Sequence, residues 1–348
     1  MTDRHPVRKP AFPRRVLSCG LVVLLLAGAS VLSRVRAQDA PKPPSDDQSV
    51  IRVDVDLVNI LFAVRTKKGQ LIPNLNKESF QLFEDGKKQE VKRFSRENDL
   101  PLTLGLLIDI SASQERLIDI ERDAASRFFG TVIRPKDEAF LISFGKSTDL
   151  LQDYTSSPNL LKSALRDLKG DGGGPMPMTT GPVPTMGRMK GTLLFDAVYL
   201  AANEKLRGEV GRKALILITD GEDQGSFYNV KNAIEQAQRS DTIIYSIYYV
   251  DPAFYARGRM SFGGGGEGDL KKMSAETGGR VMTVDRSHTL DDVFKEIQEE
   301  LRNQYTIGYT PANTARDGSF RKIDIKVDQP DLIVQARKGY YATPADGK

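Results

Sequence analysis

The stretch LLIDISASQ ends an apolar run in side chains that carry oxygen. Asp109 closes the run, and Ser111 and Ser113 follow at alternate positions. Asp220 ends a second apolar run, ALILITD, and Thr192 begins the segment TLLFDAV after a loop rich in Gly and Pro. If both runs are strands of one parallel sheet, these side chains meet at its carboxyl edge, where open α/β sheets bind ligands.

The five side chains offer two carboxylates and three hydroxyls, with no nitrogen or sulfur among them. Hard oxygen ligands suit Mg²⁺, Mn²⁺ or Ca²⁺ better than zinc or copper. Five such ligands do not enclose and neutralise an octahedral ion, so a position remains for water or for a ligand's carboxylate. The sequence therefore predicts a divalent-cation site, with Mg²⁺ as the first choice and Mn²⁺ or Ca²⁺ as alternatives.

Simpler explanations exist for each residue taken alone. Asp109 could cap a turn, Ser113 could be the N-cap of a predicted helix over 115–130, and Thr192 that of a predicted helix over 193–207. These alternatives explain each residue singly, but they do not explain why five oxygen ligands occur in this order and context.

Four further residues are predicted to lie around the cation site. Asp196 is expected to orient the site loops by hydrogen bonding, and Gly221 follows Asp220 in a tight step. Glu222 and Asp223 are expected either to add negative potential at the rim or to form a solvated turn. Ser226 is predicted to be the N-cap of the next helix, over 228–239.

The region over 100–303 alternates apolar strands with amphipathic helices. LTLGLLIDI is a continuous apolar run, typical of a strand covered on both faces. The helix that follows shows an apolar stripe at Leu117, Ile120, Ala124 and Phe128. This alternation predicts an α/β fold with a doubly wound, mostly parallel sheet.

The segments on either side of this region have the period-two pattern of β-strands. Residues 50–98 predict about three strands, with a hairpin turn at Asp85-Gly86, and residues 304–342 predict three more. Neither set is large enough to close a sandwich alone. We expect one discontinuous β-sandwich with the α/β unit inserted, or alternatively two independent β flaps, followed by a tail over 343–348.

The N-terminus has the pattern of an export signal. A basic segment precedes an apolar stretch at 16–33, and a small-residue cleavage site ends at Ala37. We expect residues 1–37 to be removed, 38–49 to form a linker, and the protein to be periplasmic or extracellular. The alternative is a retained N-terminal membrane anchor, since the apolar run is at the lower limit for spanning.

Charge and composition exclude several functional classes. The whole chain has a formal charge of +4, but residues 1–37 hold seven Lys/Arg and one Asp, which leaves 43 basic and 45 acidic residues, a net −2. That balance argues against a nucleic-acid partner. Cys19, the only cysteine, lies in the apolar signal segment, so the mature chain has no thiol chemistry.

The site residues together resemble the metal-ion-dependent adhesion site of the von Willebrand factor type A (VWA) domain. That pattern is D-x-S-x-S, a later Thr and a later Asp-Gly, and this chain has DISAS, Thr192 and Asp220-Gly221 over about 200 residues. The resemblance implies that Ser111 and Ser113 bind the ion directly. It implies that Thr192 and the two aspartates bind directly or through water. The flanks FEDGKKQEVKRF and ARKGYY resemble a VWA-related subgroup found in Acidobacteria.

The resemblance implies a binding protein whose partner presents an Asp or Glu carboxylate to the ion, without stable membrane insertion after signal cleavage. A metal-stabilised scaffold is the alternative. A hydrolase is the less favoured reading: the chain lacks a G-x-S-x-G elbow and a P-loop, and His288 has no paired Ser or Asp pattern. The Met-bearing loop 170–191 and the Gly-rich loop 261–268 are expected to border the site, as a recognition surface or as disordered filler.

Overall fold

The computed structural model describes residues 57–97, 100–171, 191–257 and 266–342. The predicted signal segment, linker and tail lie outside this part of the chain, as do most of the two loops expected to border the site. All statements below concern the described residues.

Four strands precede the α/β unit: β1 (Val58–Thr66), β2 (Phe80–Glu84), β3 (Lys87–Gln89) and β4 (Arg93–Glu97), with a short 3₁₀ turn at Lys77–Ser79. The β2–β3 hairpin turns at Asp85 and Gly86, whose φ angles are 47° and 78°. A two-residue hairpin turn of this kind requires positive φ at both positions, which Asp and Gly tolerate. The predicted turn is confirmed.

The central unit alternates strands and helices: β5 (Leu102–Asp109), α1 (Ile118–Val132), β6 (Glu138–Phe144), β7 (Thr148–Thr155), α2 (Pro158–Arg166), α3 (Leu194–Leu200), β8 (Arg212–Thr219), α4 (Val230–Arg239), β9 (Thr242–Tyr248), α5 (Pro252–Arg257), α6 (Gly266–Thr277), β10 (Val281–Thr283) and α7 (Leu290–Arg302). A π-helical turn at Ala201–Leu206 continues α3. The strand order is β10-β9-β8-β5-β6-β7, and only β7 is antiparallel to its neighbour.

Helices cover both faces of this sheet. One core lies between the sheet and α1, α2 and α7, and the other between the sheet and α3, α4 and α6. Every residue of β5 and β8 is buried, as expected for strands covered on both sides. The predicted α/β fold with a mostly parallel, doubly wound sheet is confirmed. Among the helices of the described residues, none has the length and apolar character needed to cross a membrane.

Helix α1 corrects one detail of the predicted apolar stripe. Ile120 is 51% exposed, whereas Glu121 is fully buried together with Leu117, Ala124 and Phe128. With 3.6 residues per turn, a side chain four positions after Leu117 continues the buried face. The prediction was wrong because it chose the apolar residue over the acidic one beside it.

The chain ends in four strands: β11 (Gln304–Tyr309), β12 (Phe320–Val327), β13 (Leu332–Ala336) and β14 (Gly339–Tyr341). They join the N-terminal strands in two antiparallel sheets, ordered β13-β1-β11-β4 and β14-β12-β2-β3. The segment LIVQARKGYY is therefore two strands in different sheets, where the sequence pattern predicted one. The adjacent charged residues Arg337 and Lys338 interrupt the alternation where the chain crosses between the sheets, a break that the predicted single strand passed over.

The two sheets pack face to face over a shared aromatic core. Phe62 of β1 contacts Phe80 of β2 with ring centroids 5.1 Å apart, and Tyr305 of β11 stacks on Phe62 at 5.3 Å. The segments before and after the α/β unit therefore form one β-sandwich around a single core.

A buried carboxylate joins the sandwich to the α/β unit. Glu300 of α7 is fully buried and accepts hydrogen bonds from Arg65 of β1 and from Gln335 of β13, the latter at 2.6 Å. Arg280, which precedes β10, also donates to Glu300, at 3.1 Å. The positive partners offset the cost of burying this charge, so their loss is expected to be destabilising.

Candidate functional site

Asp109 lies fully buried at the carboxyl end of β5. Its Oδ1 accepts a 2.9 Å hydrogen bond from the backbone N–H of Ser111, and its Oδ2 accepts a 2.6 Å bond from the hydroxyl of Thr219. Because β5 and β8 pair in parallel, their ends meet, and Ile108 is in register with Ile218. The loop after β5 and the neighbouring strand thus fix this carboxylate together.

Asp220 follows β8 directly and is 3% exposed. Its Oδ1 accepts from the backbone N–H of Glu222 at 3.2 Å, and its Oδ2 accepts from the hydroxyl of Tyr255 at 2.8 Å. Tyr255 belongs to α5, so a short helix after β9 reaches the second carboxylate of the site.

The three hydroxyl residues line one cavity. The Oγ atoms of Ser111 and Ser113 are 3.1 Å apart. The carbonyl of Thr192 accepts from the N–H of Gln224 at 3.0 Å, which ties the start of α3 to the loop after β8. The side chains of Ser111, Ser113 and Thr192 therefore meet at the carboxyl edge of the sheet.

Helix capping does not account for Ser113 and Thr192. The N-cap of α1 is Leu117 and that of α3 is Leu193, and neither cap forms a side-chain hydrogen bond. The alternative explanation from the sequence is thus not supported for these two residues, both of which line the cavity.

The cavity has a volume of about 430 Å³, within the range of ligand pockets in proteins. Besides the three hydroxyl residues, it is lined by Ala112, Lys146, Asp171, Gly191, Glu222, Gln224, Phe254 and Tyr255. The buried carboxylates of Asp109 and Asp220 are hydrogen-bonded to members of this lining. The structure thus brings the five predicted ligands and Glu222 to one place.

The electrostatics of the two aspartates suit a cation. Burial, and then the charge of Asp220, raise the pKa of Asp109 to about 7. Within the described ranges, neither carboxylate forms an ion pair with a lysine or arginine. Burial and the charge of Asp220 also raise the pKa of Glu222. Buried carboxylates without a positive partner are costly, and a divalent ion would offset that cost.

The donor set fits a hard divalent ion only if hydroxyls take part. No group of three or more His, Cys, Asp or Glu side chains among the described residues could hold a metal ion. Two carboxylates with three hydroxyls are an all-oxygen set of the kind that Mg²⁺, Mn²⁺ and Ca²⁺ accept.

Asp196 holds the first turn of α3 against the loop after β8. Its Oδ2 accepts from the N–H of Phe227 at 3.0 Å and its Oδ1 from the N–H of Tyr228 at 2.9 Å. Its own N–H donates to Ser226 Oγ at 3.1 Å, and Ser226 Oγ donates to Asp223 at 2.5 Å. Asp196 and Asp223 therefore position the loops around the cavity.

The prediction that Ser226 caps the next helix is wrong. Asn229 is the N-cap of α4 and forms a capping box with Asn232. The helix begins at Val230, two residues later than predicted, and the Ser226 hydroxyl is used by the Asp223 carboxylate.

Gly221 allows the turn after Asp220 to pack on the start of α6. Its φ is 82°, and a Cβ there would lie 2.5 Å from the carbonyl oxygen of Gly266. Both the left-handed backbone and the close approach require glycine at this position.

Sequence reasoning missed several residues at the site, among them Thr219, Glu121 and Tyr255. Thr219, next to Asp220, carries a hydroxyl that could have marked it. Glu121 is marked only by its place on the buried stripe of α1. Its two oxygens have no hydrogen-bond partner among the described residues, and burial with the charges of Asp109 and Asp220 raises its pKa well above the usual range. Nothing in the sequence pattern marks Tyr255.

The model of the von Willebrand factor type A domain matches residues 104–296. No curated protein matches the chain. The chain is similar to the solved structure of BatB from Bacteroides thetaiotaomicron at 19% identity, with TM-score 0.42, covering 57% of this chain and 97% of that one.

Two other solved structures are similar at lower identity. The PilB minor pilin from Streptococcus sanguinis is 12% identical, with TM-score 0.40, and the match covers 60% of this chain and 62% of that one. A von Willebrand factor type A protein from Catenulispora acidiphila is 12% identical, with TM-score 0.43 and 76% of each chain covered. The family model covers more than half of the present chain, and the chain therefore belongs to the von Willebrand factor type A domain family.

Proposed function

We propose that this protein is an exported, metal-dependent binding module that recognises a carboxylate on a protein partner. One observation carries the proposal: Asp109 and Asp220 lie buried at adjoining strand ends without a positive partner among the described residues, beside three hydroxyl-bearing residues that line a cavity. The proposal includes export directed by residues 1–37, delivery to the periplasm or the exterior, and no enzymatic activity. The flanks FEDGKKQEVKRF and ARKGYY support membership of the acidobacterial subgroup.

The hydrogen bonds suggest different roles for the five ligands. Both oxygens of Asp109 and both of Asp220 accept bonds from protein donors. Ser111, Ser113 and Thr192 face the cavity. We propose that the hydroxyls hold the ion directly, and that the aspartates supply charge directly or through water. When bound, a divalent ion, Mg²⁺ in the first place, would supply the positive charge that attracts a partner's Asp or Glu carboxylate.

Affinity capture from envelope extract tests this function. Immobilised protein is expected to retain a partner in Mg²⁺ and to release it in EDTA. Asp109→Ala is expected to abolish capture while leaving the far-ultraviolet circular dichroism spectrum unchanged. Capture that persists in EDTA, or with folded Asp109→Ala, would contradict the proposal.

The melting temperature of the same purified protein, measured with and without Mg²⁺, distinguishes a scaffold from a binding module. A metal that serves mainly as a structural element binds only the folded state and raises the melting temperature strongly without any partner. We expect a small shift with Mg²⁺ alone, together with metal-dependent capture. A large shift with no capture would favour the scaffold.

A further inference from the structure

We propose that the cavity beside the cation site recognises an acidic residue with aromatic neighbours. The acidic side chain would meet the cation site, and an adjacent aromatic ring would pack on the wall formed by Phe254 and Tyr255. The carboxylate half of this inference rests on the proposed function, whereas the aromatic half rests on the cavity wall.

The aromatic wall belongs to the same cavity as the hydroxyl ligands. Phe254 and Tyr255 line it together with Ser111, Ser113 and Thr192. Phe254 is 42% exposed, and its ring meets that of Tyr255 edge to face, with centroids 5.4 Å apart. An aromatic side chain from a partner would therefore find apolar surface beside the carboxylate position, and burying it favours binding.

The wall is held in a fixed position relative to the cation site. The Tyr255 hydroxyl donates to Asp220, and Ala253 at the start of α5 donates its N–H to the buried Asp251 at 2.9 Å. Because Tyr255 is anchored to a proposed ligand of the ion, the carboxylate and the aromatic ring of a partner must have a defined spacing. Such preorganisation favours a specific peptide over a diffuse apolar contact.

The charges around the cavity explain why the acidic residue needs the cation. Glu222 and Asp171 line the cavity and would repel a carboxylate, and Lys146 is the one cationic side chain among the described lining residues. The backbone N–H of Lys146 donates to the Asp171 carboxylate at 2.5 Å, and its ammonium donates to the Asp171 backbone carbonyl at 3.3 Å. Within the described lining, charge complementarity to an acidic partner therefore requires the ion, while the aromatic contact does not depend on it.

The cavity is also larger than one carboxylate requires. At about 430 Å³ it accommodates a second side chain beside an Asp or Glu. A small hydrophilic carboxylate would leave the aromatic wall uncovered. We therefore assign the occupant as a protein segment and not as a free organic acid.

Three fluorescein-labelled peptides test the inference by fluorescence polarisation in Mg²⁺ and in EDTA: GGFDFGG, GGADAGG and GGFNFGG. We expect the full chain to bind GGFDFGG at least about 10-fold more tightly than GGADAGG, as burial of one aromatic ring predicts. The Asn peptide is expected to bind no more tightly in Mg²⁺ than in EDTA.

Two variants locate the aromatic contact. Phe254→Ala is expected to remove the preference for GGFDFGG over GGADAGG. Phe227→Ala, which truncates an aromatic ring that is 88% exposed and does not line the cavity, is expected to retain it.

The outcomes separate this inference from the proposed function. Equal, Mg²⁺-dependent binding of the two Asp peptides, or a preference that survives in Phe254→Ala, would overturn the aromatic half and leave the function standing. No Mg²⁺-dependent binding of either Asp peptide would contradict both.

Discussion

The hydroxyl of Thr219 donates a 2.6 Å hydrogen bond to Oδ2 of Asp109, across the paired ends of β8 and β5. The same Oγ accepts the backbone N–H of Gly221 at 2.9 Å. One hydroxyl therefore links the buried carboxylate after the first strand to the turn that carries Asp220. The two carboxylates at the centre of the proposed cation site owe their relative position to a residue outside the five-ligand pattern.

Replacing Thr219 by Val is expected to destabilise the metal-free protein by about 1–3 kcal/mol, because the buried Asp109 carboxylate loses a donor. The same change is expected to weaken Mn²⁺ binding. Urea unfolding and Mn²⁺ titration measure the two effects. Thr148→Val is the matched control, since the Thr148 hydroxyl is buried without a partner among the described residues and its removal is expected to be neutral or stabilising. Equal behaviour of the two variants would contradict the role of Thr219.

The contribution of Asp109 to the stability of the metal-free protein is expected to fall as pH rises from its ordinary pKa of 3.8 to its folded-state pKa of about 7. Burial, and then the charge of Asp220, raise the folded-state pKa of Asp109 to about 7, above its ordinary value of 3.8. The folded state therefore binds more protons than the unfolded state between these values, and stability is lost as pH rises through that window. The free energy of unfolding of Asp109→Asn, measured against wild type in EDTA, isolates this contribution. Parallel pH curves for the two proteins would contradict it.

Magnesium is expected to remove this pH dependence in wild type, since it favours the ionised carboxylate. It is expected to have little effect on Asp109→Asn. Urea unfolding of both proteins across the same pH range, repeated in Mg²⁺, tests this prediction. A pH dependence of wild-type stability that persists or increases in Mg²⁺ would argue against a cation beside Asp109.

Gly221→Ala is expected to destabilise the protein by about 2 kcal/mol or more, because Cβ meets the Gly266 backbone and φ is positive. Gly69→Ala shares a positive φ of 88° but has open space around Cβ, so it separates backbone strain from the clash. Gly208→Ala has neither feature and is expected to be neutral or slightly stabilising. Thermal unfolding is expected to rank the three alanine variants in the order Gly208, Gly69, Gly221, from least to most destabilising. Any other order would contradict the separate contributions of backbone strain and steric clash.

Glu300→Ala is expected to cost about 3–5 kcal/mol, because it leaves the buried Arg65 without its partner. The exposed pair of Lys67 and Asp331 provides the control, and Asp331→Ala is expected to cost about 1 kcal/mol or less. Calorimetry on Glu300→Ala also reports whether sandwich and α/β unit still unfold together. A loss of unfolding free energy as small as that of Asp331→Ala would show that the Glu300 contact does not join the sandwich to the α/β unit.

Much of the fold follows from local patterns in the sequence. The continuous apolar run of β5 and the Asp85-Gly86 step each have one good structural solution, and both occur. The meeting of the five predicted ligands at one place follows because parallel strands bring their carboxyl ends to one edge. The predictions failed where tertiary contacts decide: the chain crosses between sheets at Arg337 and Lys338, a short break that does not show by itself which sheet each strand joins.

The residues of the site that the sequence did not predict were also missed because tertiary contacts decide their role. Tyr255 and Phe254 lie on α5, a helix of six residues that is too short to show a periodic pattern. Their importance comes from contacts with Asp220 and the cavity, which sequence spacing does not encode. Glu121 was overlooked because an acidic residue on a buried stripe conflicts with the usual preference for apolar residues.

The most direct test of the central claim is a Mn²⁺ titration of the full chain followed by electron paramagnetic resonance. The account predicts one Mn²⁺ bound per chain, competed by Mg²⁺. It predicts at least about 10-fold weaker binding in the double variant Ser111→Ala and Ser113→Ala, with no change in Ser319→Ala, a surface serine of the sandwich. Mn²⁺ binding of equal affinity in wild type and in the folded double variant would contradict the claim that these residues form a cation site.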